Sequence, residues 1–220
     1  MFIKENLIKL NKQLPKHVSL VAVSKTKPVT DIQEAYDEGQ RIFGENRIQE
    51  MVNKYNVLPK DIEWHMIGHL QRNKIKYMAH FVDMIHGVDS LKTLQEIDKQ
   101  AKKHQRIIKC LLQVKIAKEE TKFGMDAESI RSILKSELLE GLTHVKIEGL
   151  MGMASFTSDM LEVSKEFSSL KSLFDELNED GHQLPVLSMG MSGDYMTAIE
   201  QGSNMIRVGS AIFGLRNYIA

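Results

Sequence analysis

The sequence contains a single cysteine, so it cannot form an intramolecular disulfide. Cys110 lies in the apolar run Ile107–Val114, which indicates a small core residue rather than a nucleophile. A chain without disulfides is typical of a reducing compartment. No apolar run approaches the roughly 18 residues of a membrane span, and charged Lys4 and Glu5 interrupt the place of a signal peptide. We therefore expect a soluble, cytoplasmic protein.

The chain also has no excess of charge of one sign. Its 29 basic and 29 acidic residues cancel, and its pI is about 7.1. Long-range attraction to nucleic acid or to an anionic membrane depends on such an excess. The composition therefore predicts neither of these partners.

Several motifs of common enzyme classes are missing as well. There is no P-loop, no GxGxxG fingerprint and no spacing that supports a Ser-His-Asp triad. His65 and His69 are four residues apart, but this is a zinc spacing only on a helix, and Gly68 separates them at the end of a predicted strand. We predict no metal site.

What the chain does contain is a regular alternation of short β-branched runs and amphipathic segments. After an opening helix that ends near Leu14, the predicted strands are 19–24, 41–43, 62–67, 81–86, 107–114, 145–151, 185–188 and 205–208. The predicted helices are 30–39, 45–55, one after Gln71, 89–103, 126–139, 159–178 and 194–200. Eight such units predict a single (β/α)₈ TIM barrel over residues 1–220, with an extra N-terminal helix. An open doubly wound sheet is the alternative.

Lys25 is the most informative single residue, because it follows the predicted first strand. Side chains alternate along a strand, so Val21, Val23 and Lys25 share one face. A lysine that points into a barrel is costly unless it is paired or has lost its charge, and an uncharged lysine forms Schiff bases with carbonyls. The alternative is a lysine that extends outward into solvent. Lys27 has the same parity, but Pro28 places it in the exit loop.

Glycine and serine cluster in the loops after the predicted seventh and eighth strands. The residues concerned are Ser188, Gly190, Ser192, Gly193, Gly209 and Ser210. Barrel enzymes often bind phosphate after these two strands, where backbone N–H groups and hydroxyls converge. The alternative is ordinary turn chemistry.

Arg207 lies on the predicted eighth strand, on the same face as Gly209. An inward arginine needs an acceptor, and a heteroaromatic nitrogen or a phosphate would serve. An ion pair with Glu63, Asp83 or Glu148 would satisfy it equally well.

These residues fall in blocks that resemble the YggS/PROSC family, the pyridoxal phosphate homeostasis proteins. The blocks are Val21–Pro28, Phe43–Asn46, Trp64–Lys74, Gly149–Met151, Leu187–Ser192 and Ile206–Gly214. The resemblance implies a barrel like the N-terminal domain of alanine racemase that binds pyridoxal 5′-phosphate as a Schiff base on Lys25. It also implies the following further cofactor contacts: Ser188, Gly209 and Ser210 at the phosphate, Arg207 at the pyridine nitrogen, and Asn46 and Met151 along the cofactor.

Three positions depart from the family pattern. His69 stands where the family usually has proline, and we expect it to alter the rim of the cofactor site. Ser210 stands where threonine is common, and Gly193 precedes Asp194 where a polar residue is usual. The last two keep a hydroxyl or a backbone donor.

The sequence favours a protein that holds and supplies the cofactor over an enzyme with its own turnover, and its expected partners are pyridoxal phosphate and PLP-dependent apo-enzymes. An arginine at the pyridine nitrogen weakens the ring as an electron sink. Racemization needs an acid–base group on each face, which the resembling racemases take from a separate β domain that we do not expect here. No catalytic residue is assigned. A minor amino-acid racemase and a cofactor-free class I aldolase remain alternatives.

Overall fold

The computed structural model describes residues 2–119 and 123–215, which form a closed parallel barrel in the order β1 to β8. The strands are β1 Ser19–Val23, β2 Ile42–Glu45, β3 Glu63–Met66, β4 Met84–Val88, β5 Ile108–Val114, β6 Val145–Gly152, β7 Val186–Ser188 and β8 Met205–Val208. The predicted barrel is confirmed. Closure brings the first and last strands together, with Val21 opposite Arg207 and Ala22 opposite Val208.

Helices surround the barrel and follow the strands in turn. They are α1 Phe2–Gln13, α2 Val29–Asp37, α3 Ile48–Val57, α4 Leu91–Lys103, α5 Ala127–Leu134, α6 Glu137–Glu140, α7 Met160–Glu179, α8 Tyr195–Glu200 and α9 Ser210–Phe213. Side-chain caps begin several of them, as predicted: the Ser90 side chain accepts from the Thr93 N–H, and Asp159 accepts from Leu161 N–H. None of the described helices is long and apolar enough to cross a bilayer.

The strands divide their side chains between two apolar layers. The smaller layer fills the barrel interior and contains Val21, Met84, Leu111, Met151 and Met205. The larger layer lies between the strands and the surrounding helices, and includes Ala22, Phe43 and Trp64. Because Val21 faces inward and Ala22 outward, the predicted alternation along β1 is confirmed.

Several predicted elements differ from the structure. The predicted helix over 126–139 is two helices, because Lys135 ends α5 and the Ser136 hydroxyl caps α6 by accepting from Leu138 N–H. The segment after Gln71 is a 3₁₀ helix over Arg72–Tyr77. The apolar residues 81–82 that suggested the start of β4 are buried but precede the strand, which begins at Met84.

A glycine allows an unusually close contact between β6 and β7. Gly149 has a φ of +158°, and a Cβ atom there would lie 1.7 Å from the carbonyl oxygen of Val186. The pairing of β5 with β6 shifts register next to this position, between Cys110 and Leu111. An irregularity at this point therefore lets β6 fit both of its neighbours.

Candidate cofactor site

A cavity of about 440 Å³ opens at the carboxyl ends of the strands. This is the face where barrels carry their functional residues. Of the residues predicted from the sequence, Lys25, Asn46, Arg207, Gly209 and Ser210 line the cavity. The remaining two predicted residues, Met151 and Ser188, are fully buried beneath it.

Lys25 is half-buried in the loop that follows β1, and its side chain lines the cavity. The strand ends at Val23, and Thr26 adopts a φ of +65°, which turns the chain away from the barrel. Lys27 also borders the cavity, but its Nζ donates to the backbone carbonyls of residues 213–215 at 2.7–3.2 Å. The Lys27 amine therefore joins the first loop to the segment after α9.

A buried polar network holds the loop on both sides of Lys25. The Ser24 hydroxyl donates to Glu45 Oε1 at 2.6 Å, and Lys54 Nζ donates to the same oxygen at 2.8 Å and to the Ser24 carbonyl at 2.8 Å. On the other side, Thr26 N–H donates to Glu50 Oε1 at 2.6 Å, and Lys54 Nζ contacts that oxygen at 2.7 Å. The loop that carries Lys25 is thus fixed to β2 and α3.

Glu45 is the least expected member of this network. Burial raises its pKa to about 7, although Lys54 and Ser24 act in the opposite direction. Its Oε2 atom has no hydrogen-bond partner among the described residues. The sequence predicts that a helix begins at Glu45, whereas in the structure Glu45 ends β2 and α3 begins at Ile48.

Arg207 lies at the floor of the cavity with 4% of its surface exposed. Its guanidinium donates to the Ser188 carbonyl at 2.9 Å, to the Ser188 hydroxyl at 2.7 Å and to the Gly152 carbonyl at 2.9 Å. These acceptors are neutral, and within the described part of the chain no ion pair joins Arg207 to Glu63, Asp83 or Glu148; the carboxylates of Asp83 and Glu148 pair with lysines. Burial lowers the pKa of Arg207 to about 10.

The opposite end of the cavity is rich in small polar groups. Ser192 Oγ accepts from the N–H groups of Gly209 at 3.1 Å and Ala211 at 3.5 Å. The Ser210 side chain is exposed at the cavity wall, and a Cβ on Gly193 would meet no atom within 4 Å. This end therefore offers hydroxyls and open backbone to an anion.

His65 and His69, which are four residues apart in the sequence, lie in different surroundings. His65 is buried in the barrel, where it forms with Glu63 and Asp83 a group whose potential ligand atoms lie within 4.8 Å of one another. Lys109 Nζ, 3.2 Å from Asp83, already supplies a positive charge there. His69 stacks on Phe123 with ring centroids 4.2 Å apart, so it contacts another loop rather than the cavity wall.

The residues of the cavity fit pyridoxal 5′-phosphate. The volume of the cavity lies in the usual range for pockets that bind small ligands. The amine of Lys25, the buried guanidinium of Arg207 and the hydroxyl-rich end provide partners for an aldehyde, a ring nitrogen and a phosphate. The mouth is bordered by Phe156, which is 94% exposed.

The fold and this cavity define a class of protein: a (β/α)₈ barrel with an inward lysine after its first strand and a buried arginine on its last. The chain belongs to the family of the alanine racemase N-terminal domain, whose model matches residues 2–217. The family resemblance predicted from the sequence is confirmed.

Two named relatives support this family assignment. The pyridoxal phosphate homeostasis protein of Aquifex aeolicus is 40% identical over 201 residues, which cover 90% of this chain and 87% of the relative. PipY of Synechococcus elongatus, whose structure with PLP bound is known, is 40% identical with a TM-score of 0.87, and the match covers 96% of this chain and 100% of PipY.

A more distant likeness concerns the fold alone. Alanine racemase of Clostridium difficile is 18% identical with a TM-score of 0.82. The match covers 99% of this chain but 58% of the racemase.

Proposed function

We propose that this protein binds pyridoxal 5′-phosphate as a Schiff base on Lys25 and takes part in intracellular homeostasis and supply of that cofactor. The position of Lys25 carries the proposal: its side chain lines a cavity whose far end is rich in hydroxyls and whose floor holds Arg207. PipY, 40% identical, has been solved with PLP bound.

Each side chain contributes a separate part of the binding. Lys25 provides the amine that bonds to the aldehyde, and the network of Ser24, Glu45 and Lys54 fixes its loop. Ser210, Gly209 and the neighbouring Ser192 accommodate the phosphate. Asn46 borders the cavity beside Lys25, while Met151 and Ser188 support its floor from beneath.

Arg207 sets the electronic character of the site. When bound, pyridoxal phosphate supplies an electron-withdrawing ring, and that withdrawal is strongest when the ring nitrogen is protonated. A guanidinium beside the nitrogen disfavours the added proton because two positive charges would then be adjacent. The site is therefore better suited to holding the cofactor than to stabilising carbanions.

The proposed role involves no dedicated turnover, and the receivers of the cofactor are PLP-dependent apo-enzymes. Racemization would require acid–base groups on both faces of the substrate, and the second amine of the cavity, Lys27, is engaged by three carbonyls. An assay of D- and L-alanine interconversion separates this role from the racemase alternative. The relatives described above give the class I aldolase alternative no support.

The proposed location is the cytoplasm. The sole cysteine, Cys110, is buried, and a chain without disulfides suits a reducing compartment.

The proposal is tested by absorption spectroscopy and by mapping of the modified residue. We expect the purified protein with pyridoxal phosphate to show a visible band that borohydride removes, and peptide mass analysis to place the pyridoxyl group on Lys25. Lys25→Ala should abolish both signals, whereas Lys27→Arg, which keeps the cation, should retain them. A pyridoxyl group mainly on Lys27 would show that Lys25 is not the attachment point.

A further inference from the structure

A chain of polar side chains runs through the barrel interior beneath the cavity. Arg207 Nη1 lies 2.7 Å from Ser188 Oγ, Ser188 Oγ lies 3.3 Å from His86 Nδ1, and His86 Nε2 lies 3.0 Å from His65 Nδ1. The other nitrogen of His65, Nε2, is 3.8 Å from Asp83 Oδ2. Arg207, Ser188, His86 and His65 are each at most 4% exposed.

The direction of the hydrogen bonds follows from the chemistry of the two ends. A guanidinium only donates, so Ser188 Oγ accepts from Arg207. The sole remaining polar neighbour of this hydroxyl among the described residues is His86 Nδ1, to which it donates its own hydrogen. His86 Nδ1 is then an acceptor, and its Nε2–H donates to His65 Nδ1. His65 in turn carries its hydrogen on Nε2, facing the carboxylate of Asp83.

The charges at the two ends of this series of hydrogen bonds agree with the direction of donation. A cation stands at one end and an anion at the other, so both imidazoles are satisfied in their neutral forms. Burial, reinforced by the nearby guanidinium of Arg207, lowers the pKa of His86 well below its usual value. The His65 side chain and Lys109 lower the pKa of Asp83 and keep it ionised. The three hydrogen bonds from Arg207 to His65 can therefore form with both imidazoles neutral.

We propose that Ser188, His86 and His65 are positioning residues for Arg207, forming a one-directional hydrogen-bond chain that fixes its guanidinium at the floor of the cavity, with the carboxylate of Asp83 facing the far end of that chain. The chain extends the proposed function, because Arg207 is the group that meets the ring of the cofactor. If any of these hydrogen bonds is lost, the Ser188 hydroxyl is no longer held in its orientation. Arg207 then loses one well-placed acceptor.

Nitrogen NMR of the cofactor-free protein tests the chain directly. Long-range ¹H–¹⁵N spectra distinguish the two neutral tautomers and the cation, and His65→Asn and His86→Asn assign the signals. We expect both residues to be neutral Nε2–H tautomers at pH 7. A Nδ1–H tautomer or a cation at either residue overturns the proposal. Because no cofactor is present, this result stands even where cofactor binding itself fails.

A double-mutant cycle tests the link to the cavity. Ser188→Ala and His86→Phe should each weaken pyridoxal phosphate binding about five-fold, the loss of roughly one hydrogen bond. The double variant should lose no more than either single variant, because both cut the same chain. Independent losses that multiply to about 25-fold overturn the proposal. The control His17→Asn, at an exposed position, should bind like the native protein.

Discussion

At the scale of single residues, substitutions at the two ends of the cavity should have different effects. At the floor, the groups around Arg207 are buried and mutually satisfied, so a change there disturbs several partners at once. At the opposite end, Ser210 is exposed and lines the cavity, and no side-chain hydrogen bond joins it to the barrel among the described residues. A substitution at Ser210 therefore reports on the ligand alone.

Ser210→Ala should weaken binding of pyridoxal 5′-phosphate by about 1–2 kcal/mol, roughly ten-fold, because one charge-assisted hydrogen bond is lost. Binding of pyridoxal, which has no phosphate, should be almost unchanged. Titration of both ligands by fluorescence measures the difference, with Ser169→Ala on the exposed face of α7 as the matched control. Equal weakening of both ligands would place the phosphate elsewhere.

At the scale of elements, α3 has a task beyond covering the barrel. Its residues Glu50 and Lys54 reach the loop after β1 and, with Glu45 of β2, hold it from two sides. The ionisable carboxyl of Glu45, buried between these elements, makes the stability of this junction depend on pH. The sensitivity is carried by Glu45, whose pKa burial raises to about 7.

The free energy of unfolding should fall as pH rises from about 4.5 to about 7 because of Glu45. Folded, the Glu45 carboxyl keeps its proton up to pH 7, whereas the unfolded carboxyl, with a pKa near 4.5, loses it earlier. Glu45→Gln removes this loss, so the variant should gain on the native protein by up to roughly 3 kcal/mol between pH 5 and pH 8. Urea unfolding at both values measures the gain. Glu200→Gln, on the surface of α8, should show none, and a constant difference between Glu45→Gln and the native protein would contradict the raised pKa.

The close approach of β6 and β7 predicts a severe effect at one glycine and a mild effect at another. Gly149→Ala would place Cβ 1.7 Å from the Val186 carbonyl, so the strands must separate, and we expect a loss of at least ~4 kcal/mol of stability. Gly181 has a φ of +95°, but a Cβ atom there would meet no atom within 4 Å. Gly181→Ala should therefore lower the free energy of unfolding by only about 1 kcal/mol. Thermal unfolding compares the two. Similar stabilities would mean that the backbone at Gly149 relaxes freely.

At the scale of the whole molecule, binding of the cofactor should stabilise the barrel because the cavity exists only in the folded protein. A ligand present at 100 times its dissociation constant adds about 2.7 kcal/mol, equivalent to roughly 5–10 °C in melting temperature for a chain of this size. Differential scanning calorimetry with and without pyridoxal phosphate measures the shift. Lys25→Ala should reduce it strongly, and an equal shift in that variant would indicate binding that does not depend on the amine.

The barrel was predictable because alternation of strand and helix is a local signal repeated along the chain. The same reasoning brought Lys25, Arg207 and Ser210 to one face. It missed the network around Glu45 and the chain through His65 and His86, because those contacts join residues that closure of the barrel brings together. It also placed Ser188 at the phosphate, which stays a prediction; the structure shows that the Ser188 hydroxyl accepts from Arg207.

The pairing of β1 with β8 has a consequence for biosynthesis. Lys25 is synthesised well before Arg207, Gly209 and Ser210, and the two groups meet only across this seam. The Lys27 amine fastens the same seam by donating to the carbonyls of residues 213–215. A nascent or prematurely terminated chain therefore presents the amine without its cavity. We therefore expect tight binding of the cofactor only after the eighth strand has been synthesised and has paired with the first.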